Sequence, residues 1–449
     1  MTREVIFLHG ADLHLGSLLA SSKKLPAQLQ EKVREAVYTA FQRMVDTALN
    51  YEVDFAVLCG DIYDQTERSA RAKRFFINQV ERLNKAGIPV YVIYGNHDPL
   101  EQQVEFFQYP GNVYVFPAEQ AEQCEVRGKD GAVIARVLGQ SYSQPSEKRK
   151  LHHYLAPPDH DVVNVALLHT GLNPTYNNYV PCSPRELADS KYIDYWALGH
   201  IHKPQVISNS YPAAAFPGIP QGRDMGEPGW GGCFLVRAQP GKEPALQFVP
   251  TSPVIWIPVE VPLQEGLTSE EDLMALLTET AEQVLRGNKH IPGSELLASS
   301  ARTPAIEGYI VRWHFTGRSE IHDIIQKDAE IAEGLVERMQ EEFRGTSPFL
   351  WTEDIRFDTS SPLVNLANIS SEDAVLNSLL QVYRELKEDD ALRQELMGRN
   401  EVSRGWYEQK DPEDIRDKNF PLHGEVYESL LEKALYLAAQ RIWEGRETR

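Results

Sequence analysis

The sequence is poor in cysteine and contains no long apolar run. Only four cysteines occur in the 449 residues, and their wide spacing matches no zinc-binding pattern and requires no disulfide. No apolar stretch approaches the roughly 18–20 residues that a membrane-spanning helix needs. Residues 1–4 lead straight into a strand-like segment, so no secretory signal is expected. We therefore expect a cytoplasmic protein in a reducing environment, without a membrane partner.

Basic residues are also scarce relative to acidic ones. The chain has 45 Lys and Arg against 65 Asp and Glu, for a formal net charge of −20. Most of the acidic excess follows residue 250, and the part before it is nearly neutral. Overall acidity argues weakly against nucleic-acid binding, but bound divalent cations would make the first part slightly positive. The charge therefore argues against broad contact with nucleic-acid phosphates only for the acidic residues 251–449.

Apolar segments and helical periodicity alternate along the first 240 residues. Predicted strands at 5–8, 54–59 and 90–94 alternate with predicted helices at 26–50 and 66–86. This β-α-β-α-β order is typical of a parallel sheet with right-handed crossovers. Further strands are predicted within 111–140 and at 161–168, 192–198 and 233–237. The pattern predicts an α/β fold.

The character of the sequence changes near residue 262. A helix near 269–286, a strand near 306–315, a helix near 319–343 and a strand near 350–358 predict a small α+β unit. After residue 362 the chain reads as acidic amphipathic helix, most clearly at 373–397 and 425–443. The predicted division is 1–260, 261–361 and 362–449.

Polar side chains follow five of the predicted strands. They are Asp12 and His14, Asp61, the Asn96-His97-Asp98 run, His169, and His200 with His202. Each motif alone has an ordinary alternative, such as a Gly-Asn turn or a polar loop. Together they favour a site at one sheet edge, because α/β sheets bind ligands beyond the carboxyl ends of their strands. Nitrogen and oxygen donors without cysteine suit Mn²⁺, Fe or Zn²⁺, and a central carboxylate flanked by histidines suits two ions.

The order of these motifs resembles the calcineurin-like metallophosphoesterases. Asp-x-His at 12–14, Gly-Asp-x-x-Asp at 60–64, Gly-Asn-His-Asp at 95–98, His169 and Gly-His-x-His at 199–202 carry the likeness over about residues 1–240. Asp-Leu-His-Leu-Gly, Gly-Asp-Ile-Tyr-Asp and the C-terminal extension resemble, more narrowly, the SbcD-type DNA double-strand-break repair nuclease subunits, including the YhaO-like branch. The resemblance implies a β-sandwich flanked by helices, an α+β capping domain at 261–361 and a helical region at 362–449.

The resemblance also implies a set of ligands and catalytic residues. The first metal would take Asp12, His14 and His202, the second would take Asn96, His169 and His200, and Asp61 would bridge the two. His97 would neutralise phosphoryl charge and protonate the leaving 3′ oxygen, with Asp98 orienting its ring. The sequence departs from the pattern at Asp64, where some family members carry a second catalytic histidine. Any catalytic role of Asp64 is open, and a helix N-cap or loop acid is the alternative.

Two sets of basic residues are candidates for gripping DNA phosphates. They are Arg68, Arg71, Lys73 and Arg74 after the second motif, and Lys148-Arg149-Lys150; Arg223 is a further candidate. The alternative for each set is that its side chains are ordinary solvent-exposed surface.

The resemblance implies that the C-terminal helices dock on an SbcC-type ATPase of the SMC class and that the protein forms a homodimer. The alternative for these helices is that they complete the protein's own fold, and for the α+β unit that it is an unrelated packing domain.

Three functions remain in competition at this point. The first is an Mn²⁺-dependent DNA exonuclease, with single-strand endonuclease activity as a possible addition, that works with the ATPase in repair. The second is a phosphodiesterase or phosphatase of nucleotides or other small phosphate esters. The third is a scaffold whose site has decayed, against which the intact ligand set counts. The sequence identifies neither the metal, the cleavage polarity, the oligomeric state nor the partner.

Overall fold

The computed structural model describes most of the first 360 residues and parts of the remainder. The described residues are 3–17, 19, 25–64, 70–102, 108–153, 161–175, 178–190, 192–264, 266–297, 303–328, 330–360, 374–389, 392, 430–435, 437–439 and 441–442. The chain forms two compact units. The first comprises Met1–Pro262, Ser269–Thr316 and Lys327–Asp358; the second comprises Leu263–Thr268, Gly317–Gln326 and Thr359–Arg449. The predicted boundaries at 260 and 361 stay predictions.

The first sheet of the large unit is built from the predicted β-α-β-α-β segment. Its six strands lie in the order β12-β11-β1-β2-β3-β4. They are β1 (Val5–Gly10), β2 (Phe55–Cys59), β3 (Val90–Ile93), β4 (Val113–Val115), β11 (Gly232–Ala238) and β12 (Ala245–Pro250). Strands β1 to β4 are parallel, and β11 pairs antiparallel with β1. The parallel order means that the loops after β1, β2 and β3 leave the sheet at one edge.

Helices α1 (Ala27–Asn50) and α2 (Ala70–Lys85) connect these strands, as the sequence predicts. Helix α1 buries Leu29, Val33, Phe41 and Met44, which recur at three- to four-residue spacing and so form one apolar face. That face packs in one apolar core with β1 and β2 residues such as Leu8 and with α2. The sheet edge is therefore held by a continuous hydrophobic core beneath it.

A second six-stranded sheet faces the first and completes a sandwich. Its order is β5-β6-β7-β8-β10-β9. The strands are β5 (Glu122–Arg127), β6 (Val133–Gly139), β7 (Val163–His169), β8 (Tyr195–Gly199), β9 (Gln205–Ser208) and β10 (Ala213–Phe216). Between the sheets the Phe7 and Tyr195 rings meet edge to face at 5.5 Å. The predicted α/β sandwich flanked by helices is confirmed. Strand β8 begins three residues later than predicted, since Tyr192 has a φ of 67° that an extended strand does not adopt.

A three-stranded sheet follows the sandwich in the chain. It contains β13 (Val254–Pro262), β14 (Gly308–Arg318) and β15 (Phe349–Ser360), in that spatial order. The short helix α3 (Pro184–Ala188) belongs to the sandwich, where its Leu187 shares a core cluster with Trp196 of β8. The helices of the segment that contains β13 to β15 are α4 (Glu270–Leu285), α5 (His322–Lys327) and α6 (Ile331–Phe343). The sequence predicts one helix at 319–343, and this is wrong because the chain turns between α5 and α6. The Asp328 carboxylate accepts a hydrogen bond from the Glu330 amide at 2.9 Å, a local bond that competes with helix continuation.

The second unit contains helix α7 (Ala374–Glu388). This helix confirms part of the predicted helix at 373–397. Of the predicted helix at 425–443, residues 430–435, 437–439 and 441–442 are helical and the rest lie outside the described residues. Among the residues that the structure describes, no helix is long and apolar enough to cross a membrane.

Candidate metal centre

Four of the predicted site residues have left-handed backbone conformations. The φ angles are 52° for Asp12, 43° for His14, 52° for Asp61 and 99° for His200. Such angles are uncommon for residues with a side chain and persist only where the surroundings impose them. Here the loops after β1 and β2 are joined by hydrogen bonds from Asp12 N to Gly60 O at 3.0 Å and from His14 N to Asp61 O at 2.9 Å. The loops therefore turn these side chains together instead of continuing the strands.

Glycines precede the site residues where two loops approach each other closely. A Cβ on Gly199 would lie 1.9 Å from the Cys59 carbonyl oxygen, so no larger residue fits beside β2. A Cβ on Gly95 would lie 2.4 Å from Asp61 Oδ1 and 2.7 Å from His169 Nε2. The glycine of each motif thus provides the space in which donor atoms from different strands meet.

Asp12, His14 and His202 form the first group of donors. His14 Nε2 and His202 Nε2 are 3.2 Å apart, and His202 Nε2 is 3.9 Å from Asp12 Oδ1. Two nitrogen ligands of one tetrahedral ion are separated by roughly 3.3 Å. The other ring nitrogen of His14, Nδ1, is buried and has no hydrogen-bond partner among the described residues. The three donor atoms are therefore spaced like ligands around one metal ion.

Asn96, His169 and His200 form the second group. Asn96 Oδ1 lies 2.9 Å from His169 Nε2 and 3.0 Å from His200 Nδ1. The Cys59 carbonyl oxygen accepts a hydrogen bond from His169 Nδ1 at 2.9 Å, which directs Nε2 into the site, as ligand histidines are usually held. The three donors predicted for a second ion therefore converge on one point.

Asp61 lies between the two groups. Its Oδ2 is 3.5 Å from His169 Nε2 and 3.9 Å from His14 Nε2. Both oxygens are buried, and Oδ1 accepts a hydrogen bond from the His97 amide at 2.9 Å. The Asp61 carboxylate therefore lies between the two groups, and the bridging role that the resemblance implies for it stays a prediction.

Burial and mutual charge shift the pKa values of these groups strongly. Burial lowers the pKa of His14 to about 3 and that of His200 to about 3, so both rings keep a free lone pair at neutral pH. Burial works to raise the pKa of Asp61, but His169 outweighs it and holds that pKa well below its usual range. Burial raises the pKa of Asp12 to about 6. Neutral imidazoles and an ionised carboxylate are the states that metal ions bind, and His14, His200 and Asp61 are in those states. Burial works to lower the pKa of His169, but Asp61 raises it to about 9, so this ring has to release a proton when an ion binds.

Two carboxylates, Asp98 and Asp64, lie close to His97 in different surroundings. Both oxygens of Asp98 accept backbone hydrogen bonds, from Gly95 N at 2.8 Å and from Ile62 N at 2.7 Å among others, and they tie the second motif to the third. The carboxylate that faces His97 Nδ1 is Asp64, at 3.8 Å. Asp64 raises the pKa of His97. Asp64, whose role the sequence left open, is therefore a further candidate for orienting the His97 ring, and the role that the resemblance implies for Asp98 stays a prediction.

Comparison with known proteins identifies the domain that carries this centre. The calcineurin-like phosphoesterase family matches residues 6–204, which include all of the metal-donor candidates. The chain contains a calcineurin-like metallophosphoesterase domain. Curated relatives extend the likeness beyond that segment.

Three relatives illustrate the range of similarity to this chain. The uncharacterized metallophosphoesterase YhaO of Bacillus subtilis (strain 168) is 34% identical over 272 residues, 59% of this chain and 65% of that protein. The DNA double-strand break repair protein Mre11 of Aeropyrum pernix is 25% identical over 230 residues, 47% and 52% of the two chains. One of the subunits of the nuclease SbcCD from B. subtilis is 25% identical over 279 residues, 54% and 68%. The chain thus spans about half to two thirds of the length of these relatives.

The phosphoesterase domain also has an acidic neighbour at its metal centre that the sequence patterns do not reveal. Glu227 Oε1 accepts a hydrogen bond from His202 Nδ1 at 2.5 Å. The Arg223 guanidinium donates to the same oxygen at 2.9 Å and lies 3.5 Å from Asp64 Oδ2. The available signal was a Glu four residues after Arg223 in a glycine-rich loop that follows the last histidine motif. Glu227 and Arg223 link His202 to Asp64 across the mouth of the centre.

The remaining basic candidates are dispersed over the chain. Arg68 lies outside the described residues. Arg71 forms an ion pair with Glu35 at 2.5 Å, and its guanidinium lies over the Tyr38 ring. Both partners are side chains of α1. Lys73 lines a cavity of about 860 Å³, and Arg74 is exposed on α2. In the second set, Arg149 pairs with Glu147 at 2.6 Å and Lys150 with Glu186 at 2.7 Å. Among the basic candidates that the structure describes, Arg223 is the one whose described contacts include groups of the centre.

Proposed function

We propose that this protein is a metal-dependent phosphodiester hydrolase that acts on DNA. The observation that carries the proposal is the convergence of two donor groups on the Asp61 carboxylate, with His97 at their edge. The printed names of two relatives, a double-strand break repair protein and a nuclease component, support DNA as the substrate class. The cleavage is exonucleolytic in this proposal, with single-strand endonuclease activity as a possible addition.

One divalent ion would be held by Asp12, His14 and His202. A second ion would be held by Asn96, His169 and His200, and Asp61 would be shared between the two ions. Two ions there would supply positive charge for the phosphoryl oxygens and lower the pKa of a water nucleophile. We propose Mn²⁺ first, with Fe or Zn²⁺ as alternatives, because the donors are imidazole and oxygen groups.

His97 is the residue of this chain that we expect to act on the leaving group. Its side chain is 37% exposed, and its ring meets the His14 ring edge to face at 4.9 Å. It can therefore reach a bound phosphodiester without belonging to either donor group. A proton held on this ring would pass to the leaving 3′ oxygen, and Asp64 would orient the ring.

The cellular role is proposed from the relatives. We propose that the protein functions in double-strand-break repair in the cytoplasm with an SMC-type ATPase partner of the SbcC kind. The α+β unit would cap the site and the C-terminal helices would dock the partner, and a homodimer fits this arrangement. A phosphodiesterase of nucleotides or small phosphate esters is the alternative, because YhaO is named only as a metallophosphoesterase.

The test is Mn²⁺-dependent cleavage of end-labelled linear duplex DNA and of a single-stranded oligonucleotide. Bis-p-nitrophenyl phosphate is assayed in parallel, and His97→Ala is the control. Degradation of DNA from its ends, lost in the variant, supports the nuclease. Turnover of the small diester with DNA untouched, even with the candidate ATPase added, refutes the nuclease in favour of the alternative. No turnover of any substrate with both ions bound indicates a catalytically silent scaffold.

A further inference from the structure

A second cluster of metal-binding side chains lies in the same unit, on residues that the dinuclear centre does not use. It contains His152 and His153, in the loop after β6, and Glu186, in the first turn of α3. One ligand atom from each residue lies within 4.8 Å of the other two. The closest measured pair is His152 Nε2 and Glu186 Oε1, at 3.6 Å. This is close to the roughly 3.3 Å between two ligands of a tetrahedral zinc ion.

His152 is the independent sign that something is missing at this cluster. The residue is only 3% exposed, yet neither of its ring nitrogens has a hydrogen-bond partner among the described residues. A neutral imidazole always carries one N–H donor and one lone pair, so both would be buried unsatisfied. Its pKa is lowered to about 4 by burial and by the neighbouring His153, which leaves the lone pair unprotonated at neutral pH.

The two carboxylate oxygens of Glu186 make different contacts. Oε2 accepts hydrogen bonds from Ser183 N at 2.8 Å and from Ser183 Oγ at 2.9 Å, which completes the capping box of α3. Oε1 takes no part in the capping box and faces His152 instead. The capping box therefore fixes the rotamer of the carboxylate and leaves Oε1 beside His152 Nε2.

We propose that His152, His153 and Glu186 bind a zinc-class transition-metal ion that joins the 150–153 loop to the first turn of α3. Two imidazoles and one carboxylate are a common ligand set for Zn²⁺, with a fourth position open to water or another donor. The ion occupies the lone pair that His152 otherwise buries without a partner. No residue of the dinuclear centre takes part, so this site and the proposed hydrolase function stand or fall separately.

Lys150 is the built-in competitor for this site. Its Nζ lies 2.7 Å from Glu186 Oε1, the oxygen that the metal would take. Binding of a dication requires this ammonium group to move away, because like charges at such a distance repel. Removal of the Lys150 charge should therefore tighten metal binding, whereas a purely structural Lys–Glu pair predicts no such effect.

The experiment counts zinc per chain instead of activity. The chelator-stripped protein is equilibrated with buffered Zn²⁺, and bound zinc is measured by elemental analysis for the parent, His153→Ala and His290→Ala. His153 and His290 are both exposed, so neither change should disturb folding, and His290 serves as the matched control. We expect His153→Ala to bind one zinc fewer than the parent and His290→Ala to match the parent. Zinc in the dinuclear centre cancels in this difference.

Two further measurements make the result decisive. Lys150→Met should bind the additional zinc at least tenfold more tightly than the parent in a chelator competition. Cobalt in place of zinc should give visible absorption that His153→Ala lacks in part. Equal zinc content in the parent and His153→Ala overturns the proposal, whatever the nuclease assays show. A gain seen only in Lys150→Met also overturns it, since the native chain would then keep the ammonium group.

Discussion

Glu227 offers the sharpest test of how the metal centre is held together. Its carboxylate accepts from His202 Nδ1 at 2.5 Å, and the Arg223 backbone amide donates to Oε2 at 2.8 Å. Among the metal donors that the structure describes, Glu227 contacts only His202, and it does so through the ring nitrogen that faces away from the other donors. Glu227 is therefore a positioning residue. We expect Glu227→Ala to weaken binding of the ion that His202 holds, because the imidazole loses the partner that fixes its orientation and basicity.

The magnitude follows from the kind of contact that is lost. Burial works to raise the pKa of Glu227, but His202 and Arg223 lower it to about 2, so this hydrogen bond is charge-assisted at neutral pH. Removal of such a partner from a ligand histidine typically weakens metal binding 10- to 100-fold, or about 1.4–2.7 kcal/mol. Glu227→Gln retains an oxygen acceptor without the charge and should lie near the tenfold end. Glu227→Ala should lie near the hundredfold end.

The assay is a Mn²⁺ titration of each variant, with diester turnover measured at limiting and at saturating metal. Asp224→Asn is the matched control, since it removes the same charge from an exposed position in the same loop and keeps the acceptor for Gly226 N. We expect Glu227→Ala to lose turnover at limiting Mn²⁺ and to recover much of it at saturation. Equal Mn²⁺ affinity in Glu227→Ala and Asp224→Asn would refute the reasoning.

Three further predictions follow from the same geometry. His97→Ala should reduce diester turnover by about 10²–10⁴-fold while both ions remain bound by elemental analysis; metal loss in this variant would contradict the role given to His97. Gly95→Ala should lower activity about 10²-fold, because the new Cβ would sit 2.4 Å from Asp61 Oδ1, whereas Gly334→Ala, with no atom within 4 Å, is the control that should keep full activity. His9 lies buried between the sheets, and burial lowers its pKa to about 3. Because the unfolded chain binds this proton near pH 6.5, stability is fully present above that pH and falls as pH drops toward 3. The loss between pH 7.5 and 5 should be about 2 kcal/mol smaller in His9→Gln, measured by urea unfolding in chelator; an unchanged pH dependence would contradict this.

The sequence by itself predicted an α/β fold with polar residues gathered at one sheet edge, whereas the sandwich was expected from the resemblance to the metallophosphoesterases. Apolar strand segments such as Val90–Ile93 end directly in polar motifs, and parallel strands must deliver those motifs to the same side. Both signals are local in sequence, so they can be recognised without knowledge of the tertiary contacts. The polar residues from Asp12 to His202 were expected at this edge for that reason, and their grouping around two ions followed from the resemblance. The structure places neighbouring donor atoms of the two groups 2.9–3.9 Å apart.

The tertiary structure decided which neighbours tune those donors. Glu227 meets His202 from 25 residues away, and the carboxylate facing His97 is Asp64 in another loop instead of the adjacent Asp98. The sequence does not show that the Asp98 carboxylate accepts hydrogen bonds from backbone amides of another loop, because these amides become its neighbours only after the loops close. Strand periodicity fixes which residues reach an edge. Which side chain turns toward which depends on left-handed backbone angles, as at Asp12 and His200, that packing between distant segments imposes.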